Sequence, residues 1–154
     1  MSERWWILLK ERWIEMNQYK YEEITIGQKE SFTVTITEEM QDSFRKITGD
    51  INPLHESFEY AAAKGYKDRV VFGMLSASLL STLAGVYLPG ERSLIQSVSV
   101  KFRKPVYIGD TLTVEGIVSD KSDAVSTIMV KYTMTNRDGV SVAKGDMMIG
   151  VSEA

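Results

Sequence analysis

Alternation of apolar and polar residues predicts most of the strands in this chain. Residues 31–36 alternate polar with apolar side chains, which is the period of a strand with one buried face. The C-terminal half contains four further strand-like runs, at 98–102, 112–118, 128–134 and 142–151. Turn-forming pairs separate these runs: Gly109-Asp110, Ser119-Asp120 and Asp138-Gly139. We therefore expect the four runs to form an antiparallel meander.

Two short helices are predicted between the first strand and the centre of the chain. Thr37 can cap a helix that begins with Glu38 and Glu39, because carboxylates suit the positive N-terminal end of a helix. Its apolar side at helical spacing consists of Met40, Phe44 and Ile47. A second helix over 56–64 is expected to end at Gly65. Its expected buried residues are Phe58, Ala61 and Ala62.

The run 70–88 is 19 residues long and contains no charged residue. That length meets the criterion for a membrane-spanning helix. Polar hydroxyls dilute its hydrophobicity, at Ser76, Ser78, Ser81 and Thr82. A helix that is apolar nearly all round is also expected when a curved sheet encloses it. We therefore predict no membrane span, but a central helix that follows Arg69 and ends at Pro89-Gly90, in a single α+β domain.

Residues 1–18 differ from the rest and are predicted to be an N-terminal extension to a domain at 19–154. Apolar residues at roughly helical spacing allow a short amphipathic helix, with Trp5, Trp6, Leu9, Trp13 and Ile14 on one side. An alternative is that Lys10-Glu11-Arg12 is encoded by a purine-rich ribosome-binding site. Met16 would then be the natural start, and the preceding residues a translated leader.

Composition excludes several classes of chemistry. The 154 residues contain no cysteine and one histidine, which removes disulfides, thiolate nucleophiles and multi-histidine metal sites. Catalysis would have to use acid/base groups, hydroxyls and backbone dipoles. A net charge of −3 is unsuited to a phosphate-backbone binder, so nucleic acid is not an expected partner. The absence of cysteine is compatible with a reducing cytoplasm, where we expect the protein to work.

The segment Thr48-Gly49-Asp50-Ile51-Asn52-Pro53-Leu54-His55 concentrates the chemistry of the chain. Gly49 and Pro53 oppose a continuous helix or strand and predict a rigid turn. An acid and an imidazole held on such a turn can share a water or a substrate proton, as general acid/base catalysis requires. The alternative is an ordinary polar turn, because Asp, Asn, Gly and Pro are all common turn formers.

The same segment resembles the signature of the MaoC-like (R)-specific enoyl-CoA hydratases. The matching residues are Phe44-x-x-Ile47-Thr48-Gly49-Asp50-x-Asn52-Pro53-Leu54-His55, followed by Ala61. The resemblance continues through Gly73-Met74-Leu75 and the segment from Lys101-Phe102-Arg103-Lys104-Pro105-Val106 to Gly109-Asp110. It departs at Phe72, where members of the family often carry histidine.

This resemblance implies a hot-dog fold, in which a sheet wraps a central helix, and hydration of trans-2-enoyl-CoA to (R)-3-hydroxyacyl-CoA. Asp50 and His55 would flank one catalytic water, while the backbone N–H of Gly73 would serve the thioester oxyanion. Gly73 suits that role because it begins a helix, although a glycine there also allows close packing. Asn52 either closes the turn or holds the water and Asp50.

A basic cluster on one strand end, formed by Lys101, Arg103 and Lys104, is electrostatically suited to the phosphates of coenzyme A. Its alternative is an ordinary solvated strand face. The expected partners are an acyl-CoA or acyl-carrier-protein thioester and further copies of the chain, as a homodimer or higher homo-oligomer. No cofactor is expected, since coenzyme A belongs to the substrate.

Two other functions are compatible with a hot-dog domain. A thioesterase would direct the activated water at the carbonyl carbon rather than at C3. A non-catalytic acyl-CoA-binding subunit would bind the ligand without turnover. The Asp-x-Asn-Pro-x-His spacing favours hydration over both.

Overall fold

The computed structural model describes residues 6–9 and 12–153, and these begin with a pair of short strands. Strands β1 (Trp6–Leu9) and β2 (Arg12–Glu15) pair antiparallel, with Ile7 opposite Ile14. The amphipathic helix predicted here is therefore wrong, and Trp5 lies outside the described residues. Tryptophan and isoleucine favour strands, and apolar spacing in so short a segment does not separate the two structures.

The segment directly after this strand pair is bonded to the body of the protein. Asn17 donates its backbone N–H to Val86 O at 2.8 Å and its side-chain amide to Tyr87 O at 2.8 Å. Glu91 N–H in turn donates to Asn17 O at 2.9 Å. The boundary at residue 18 and the translated leader both remain predictions. Within residues 1–18, residues 1–5, 10 and 11 lie outside the described part of the chain.

The main sheet is antiparallel, and its strands do not follow one another in simple order. Its members are β3 (Lys29–Thr35), β4 (Ser93–Val98), β5 (Lys101–Phe102), β6 (Thr111–Ser122), β7 (Thr127–Thr135) and β8 (Ser141–Val151). The order is β3-β6-β7-β8-β4, with β5 also paired to β8. The predicted meander is confirmed for β6, β7 and β8. It is wrong for the first run, at 98–102, because the end of β4 and β5 both pair with β8 and not with β6.

The connection between β5 and β6 explains this order. Val106 O accepts the N–H of Val71 at 2.8 Å, and Gly109 N–H donates to Ile36 O at 2.8 Å. The chain after β5 is thus bonded to other segments instead of turning back as a hairpin, which delivers β6 to the opposite side of the sheet.

The predicted strand at 98–102 is interrupted at Ser99. Ser99 donates its N–H to Asp146 O at 2.8 Å, and its carbonyl accepts the hydroxyl of Tyr132 at 2.5 Å. Gly145 lies directly beneath, where a Cβ atom would stand 2.0 Å from Ser99 O. The break separates β4 from β5, but the end of β4 and β5 both pair with β8 in one continuous register, so the basic segment follows the same course along β8.

Three helical segments connect β3 to the centre of the chain. Helix α1 (Glu38–Thr48) is capped as predicted, with Thr37 Oγ1 accepting Met40 N–H at 3.2 Å. The helix predicted over 56–64 is shorter: α2 (Pro53–Glu56) precedes α3 (Phe58–Ala63), because Ser57 caps a new helix. Ala61 is buried as expected, whereas Phe58 and Ala62 are exposed.

The central helix, α4 (Gly73–Thr82), continues as a π-helical turn at Leu83–Tyr87 and ends before Pro89-Gly90, as predicted. It begins later than 70 because Val71 is bonded to Val106 in an extended segment. Its buried residues pack against the sheet, and Gly116 leaves room for Leu83, whose Cδ2 would lie 2.9 Å from a Cβ there. The sheet does not enclose it fully, since Met74, Ser78 and Ser81 are exposed.

The α+β class is therefore confirmed, with one sheet packed on one central helix. Among the described residues, no helix is both long enough and apolar enough to cross a bilayer.

Gly145→Ala tests the strand break. Overpacking against the backbone of Ser99 should lower the free energy of unfolding by about 1–3 kcal/mol. The matched control is Gly85→Ala, where the nearest heavy atom to the new Cβ is Ser93 Oγ at 3.8 Å. That change should leave stability unchanged or raise it, because it removes a helical glycine. Urea denaturation of both variants measures the difference, and equal stability of Gly145→Ala and wild type would contradict the packing argument.

Candidate active site

The turn between α1 and α2 is built from side chains that cap backbone groups. Gly49 ends α1 with a left-handed φ of 72° and donates its N–H to Arg45 O at 2.8 Å. Asp50 Oδ1 then accepts Asn52 N–H at 2.9 Å, and Asn52 Oδ1 accepts Leu54 N–H at 2.9 Å. Asp50 and Asn52 therefore both stabilise the turn, which is the alternative that the sequence left open for them. The turn bond uses Oδ1 of the exposed Asp50 carboxylate, so Oδ2 can accept a further hydrogen bond.

His55 is half-buried, and its ring is held from two sides. Its Nδ1 lies 2.7 Å from Val70 O, and its ring packs on Phe72 with the centroids 4.2 Å apart. A carbonyl oxygen can only accept a hydrogen bond, so Nδ1 carries the proton. In the neutral imidazole, Nε2 is then unprotonated and can accept a proton from water.

Two clefts of about 300 Å³ each meet at His55. The apolar cleft lies towards α4 and β5, and its lining includes Gly73, Ser76, Phe102, Arg103 and Lys104. The charged cleft lies towards α1, and its lining includes Gln41, Arg45, Glu56, Arg69 and Phe72. The single imidazole of the chain thus separates an apolar from an ionic environment.

The structure brings some of the predicted site residues together and leaves others apart. His55, Gly73, Arg103 and Lys104 all line the apolar cleft. Lys101 is paired with Lys144 across β5 and β8 and is not part of that lining among the described residues. Asp50 and Asn52 are exposed, and neither lines either cleft in the part of the chain that the structure describes. A water shared by Asp50 and His55 therefore stays a prediction.

Gly73 occupies the first position of α4, where a backbone N–H has no intrahelical acceptor. Its neighbours Leu75 and Ser76 instead bond to Phe72 O, at 3.0 and 3.3 Å. A Cβ atom at position 73 would lie 3.2 Å from two atoms of the Phe102 ring. Close packing, the alternative left open for this glycine, is therefore present, at a residue that also lines the cleft and begins a helix.

Ion pairs hold α1 beside the segment that precedes α4. Arg69 donates to both carboxylate oxygens of Glu38, at 2.8 and 2.9 Å, and Arg45 donates to Glu56 at 2.9 Å. The bond to Glu38 raises the pKa of the Arg69 guanidinium above its ordinary value. Arg69 is thus a fixed positive charge at the charged cleft. No group of three or more His, Cys, Asp or Glu side chains suited to a metal ion occurs among the described residues.

Sequence reasoning missed Gln41, which is 2% exposed and bonded to backbone atoms on both sides of the site. A signal was present, because Gln41 lies three positions before Phe44 and so shares its inward face of α1. Phe72, noted only as a departure from the family pattern, proves to pack directly on His55.

The model of a protein family described as MaoC like domain matches residues 22–139. An (R)-specific enoyl-CoA hydratase of Rhodospirillum rubrum is 39% identical over 105 residues, covering 66% of this chain and 73% of the relative. A 3-hydroxybutyryl-CoA dehydratase of Methylorubrum extorquens is 33% identical, covering 69% of this chain and 68% of the relative.

Two solved structures of hydratases superpose on this chain. R-hydratase PhaJ1 from Pseudomonas aeruginosa, in its unliganded form, superposes with a TM-score of 0.83 at 32% identity, covering 90% of this chain and 88% of the other. The (R)-hydratase of A. caviae involved in PHA biosynthesis gives a TM-score of 0.80 at 28% identity, covering 84% and 98%. The predicted hot-dog fold is confirmed, and the chain belongs to the MaoC like domain family.

Proposed function

We propose that this protein hydrates trans-2-enoyl-CoA to (R)-3-hydroxyacyl-CoA and catalyses the reverse dehydration. The observation that carries the proposal is the hydrogen bond of His55 Nδ1 to Val70 O, which leaves Nε2 as a base. This imidazole shares a cleft with Gly73, the first residue of α4. The relatives named as hydratases and dehydratases make the proposal specific to this reaction.

Hydration requires three events at the substrate. The oxygen of a water attacks C3 as the water loses a proton, C2 gains a proton, and negative charge passes transiently onto the thioester oxygen. His55 and Asp50 would serve the two proton transfers. The N–H of Gly73, with the positive end of α4 behind it, would stabilise the enolate-like oxygen.

The basic segment after β5 would hold the phosphates of coenzyme A. Arg103 and Lys104 line the apolar cleft, and Lys101 lies beside them on β5. An acyl-carrier-protein thioester presents the same reacting group and is the other proposed substrate. No cofactor beyond the substrate's own coenzyme A enters the proposal. The cytoplasm is the proposed compartment, because it keeps thiols reduced and this chain has no cysteine for disulfides.

We further propose a homodimer formed through the free edge of β4. Five of its six residues are exposed, including Leu94 at 60%, Ile95 at 43% and Val98 at 44%. The strand contains no charged residue of the kind that protects a sheet edge from pairing. A second copy would cover this edge by an antiparallel, two-fold symmetric contact. Since β5 follows at once, the apolar cleft would lie close to that interface.

Asp50→Asn separates turn formation from chemistry. The new amide oxygen can still accept Asn52 N–H, so the turn should persist while the carboxylate is lost. Hydration should fall by at least about 100-fold, as it should in His55→Ala. The fold-loss of rate in the double variant should be much smaller than the product of the two single fold-losses.

The assay follows both the enoyl absorbance and the release of free thiol. A folded Asp50→Asn enzyme with most of its activity would remove Asp50 from the mechanism, and thiol release with the enoyl group intact would indicate a thioesterase.

Phosphate recognition is tested by single alanine variants of Arg103, Lys104 and Lys101. Arg103→Ala and Lys104→Ala should raise KM for the CoA substrate more than KM for the matching pantetheine thioester, which lacks the nucleotide phosphates. Lys101→Ala should have the smallest effect, because Lys101 lies outside the cleft lining. Equal effects on both substrates would eliminate phosphate binding by this segment.

The dimer edge is tested by Leu94→Asp together with Val98→Asp. A buried carboxylate at each position should dissociate the dimer, as measured by sedimentation equilibrium. Val125→Asp is the matched control, because Val125 is 66% exposed but lies on the turn between β6 and β7. It should remain dimeric. A wild-type protein that is monomeric at assay concentration would contradict the proposed interface.

A further inference from the structure

Gln41 of α1 connects the two halves of the candidate site through one side chain. Its Nε2 donates to His55 O and to Val70 O, at 3.3 Å each. Its Oε1 accepts Phe72 N–H at 3.3 Å. Both donor hydrogens and the carbonyl oxygen are therefore used on backbone groups, in a residue that is only 2% exposed.

One of these partners is the atom that orients the imidazole. Val70 O accepts both His55 Nδ1 and Gln41 Nε2, at 2.7 and 3.3 Å. Gln41 also holds the carbonyl of His55 itself. The amide thus restrains the acceptor and the backbone of the residue that donates to it.

The other partner lies next to the proposed oxyanion donor. Phe72 N–H, held by Gln41, belongs to the residue directly before Gly73, and the Phe72 ring packs on His55. A single buried side chain therefore contacts the backbone of His55 and that of the residue before α4. The distance between His55 Nε2 and Gly73 N–H would depend on it.

Filling the core does not by itself explain an amide at this position. A buried polar group is tolerated only when its hydrogen bonds are made, whereas methionine or leucine would fill similar space without that condition. The apolar residues Met40 and Phe44 and the Arg69–Glu38 pair already attach α1 to the body. The fold has other anchors here, and Gln41 adds a side-chain restraint to the backbone bond from Val70 N–H to Leu54 O.

We propose that Gln41 is a positioning residue, which keeps the Nδ1–H of His55 on Val70 O and sets the imidazole at a fixed place relative to Gly73. The catalytic consequence rests on the proposed hydratase function. The effect on His55 itself does not, because it can be measured without substrate.

Gln41→Met is the first test, since methionine has a similar shape and cannot make these bonds. It should lower kcat by about 10- to 100-fold with KM for the enoyl-CoA changed by no more than about twofold, as expected for a misplaced catalytic group. His55 is the only histidine, so ¹⁵N NMR of the neutral imidazole reports it alone. The wild type should show the Nδ1–H tautomer, and the variant a mixture with Nε2–H.

Gln41→Leu repeats the test with a second apolar side chain. It can neither donate to the two carbonyls nor accept Phe72 N–H, so it should disturb the His55 tautomer as Gln41→Met does. Gln28→Met is the matched control, because Gln28 Oε1 also accepts a backbone N–H, from Thr25 at 3.2 Å, but at a turn before β3. It should leave kcat and the tautomer unchanged.

A Gln41→Met protein that is less stable but has wild-type kcat and a wild-type His55 tautomer would reduce Gln41 to a structural residue and overturn the proposal. Should that variant not fold, a folded Gln41→Leu protein with an unchanged tautomer would overturn it equally. A wild-type protein without hydration activity would refute the proposed function alone, since the tautomer comparison needs no turnover.

Discussion

The candidate site depends on one hydrogen bond, from His55 Nδ1 to Val70 O. It joins the end of α2 to the extended segment that leads into α4, and Val70 returns the connection by donating its own N–H to Leu54 O at 3.1 Å. Because a carbonyl oxygen accepts and never donates, the bond selects the tautomer as well as the orientation of the ring. The base and the start of the central helix are therefore fixed to each other by backbone atoms.

The surrounding architecture keeps both ends of that bond in place. On the side of α2, the left-handed Gly49 and the capping side chains of Asp50 and Asn52 bring the chain from one helix into the next. On the side of α4, Val71 is bonded to Val106, beyond the end of β5. Since β5 continues the pairing of β4 with β8 in the same register, the sheet determines where the basic residues lie relative to the imidazole.

Local patterns in the sequence predict the parts of this structure that local forces determine. Alternation predicts β6, β7 and β8, Thr37 predicts the cap of α1, and Pro89 predicts the end of the central helix. The motif predicts Asp50 and His55 as candidate acid/base residues because it places both on one turn. The short helix predicted at Phe58 and Ala62 failed in part because periodicity does not reveal which side of a surface helix meets the body.

Local sequence patterns did not predict the contacts between residues that are distant in the chain. The pairing of β4 with β8 depends on where 103–110 is bonded, and the strand break depends on the absence of a side chain at Gly145. Gln41 is the same kind of case, since its partners belong to two other segments. Its inward position was visible from Phe44, but its role required knowing which backbone groups lay opposite.

Phe72, where this chain departs from the family pattern, also affects how the His55 ring is oriented. A histidine at that position could hydrogen-bond, whereas the phenyl ring of Phe72 can only pack on His55, at a centroid distance of 4.2 Å. Packing restrains the plane of the imidazole but leaves the choice of protonated nitrogen to polar partners. Here the polar partner shown is one backbone carbonyl, Val70 O, to which Gln41 also donates. The Phe72 ring thus restrains the plane of the only imidazole in the chain, while the buried amide of Gln41 restrains the carbonyl that the imidazole bonds.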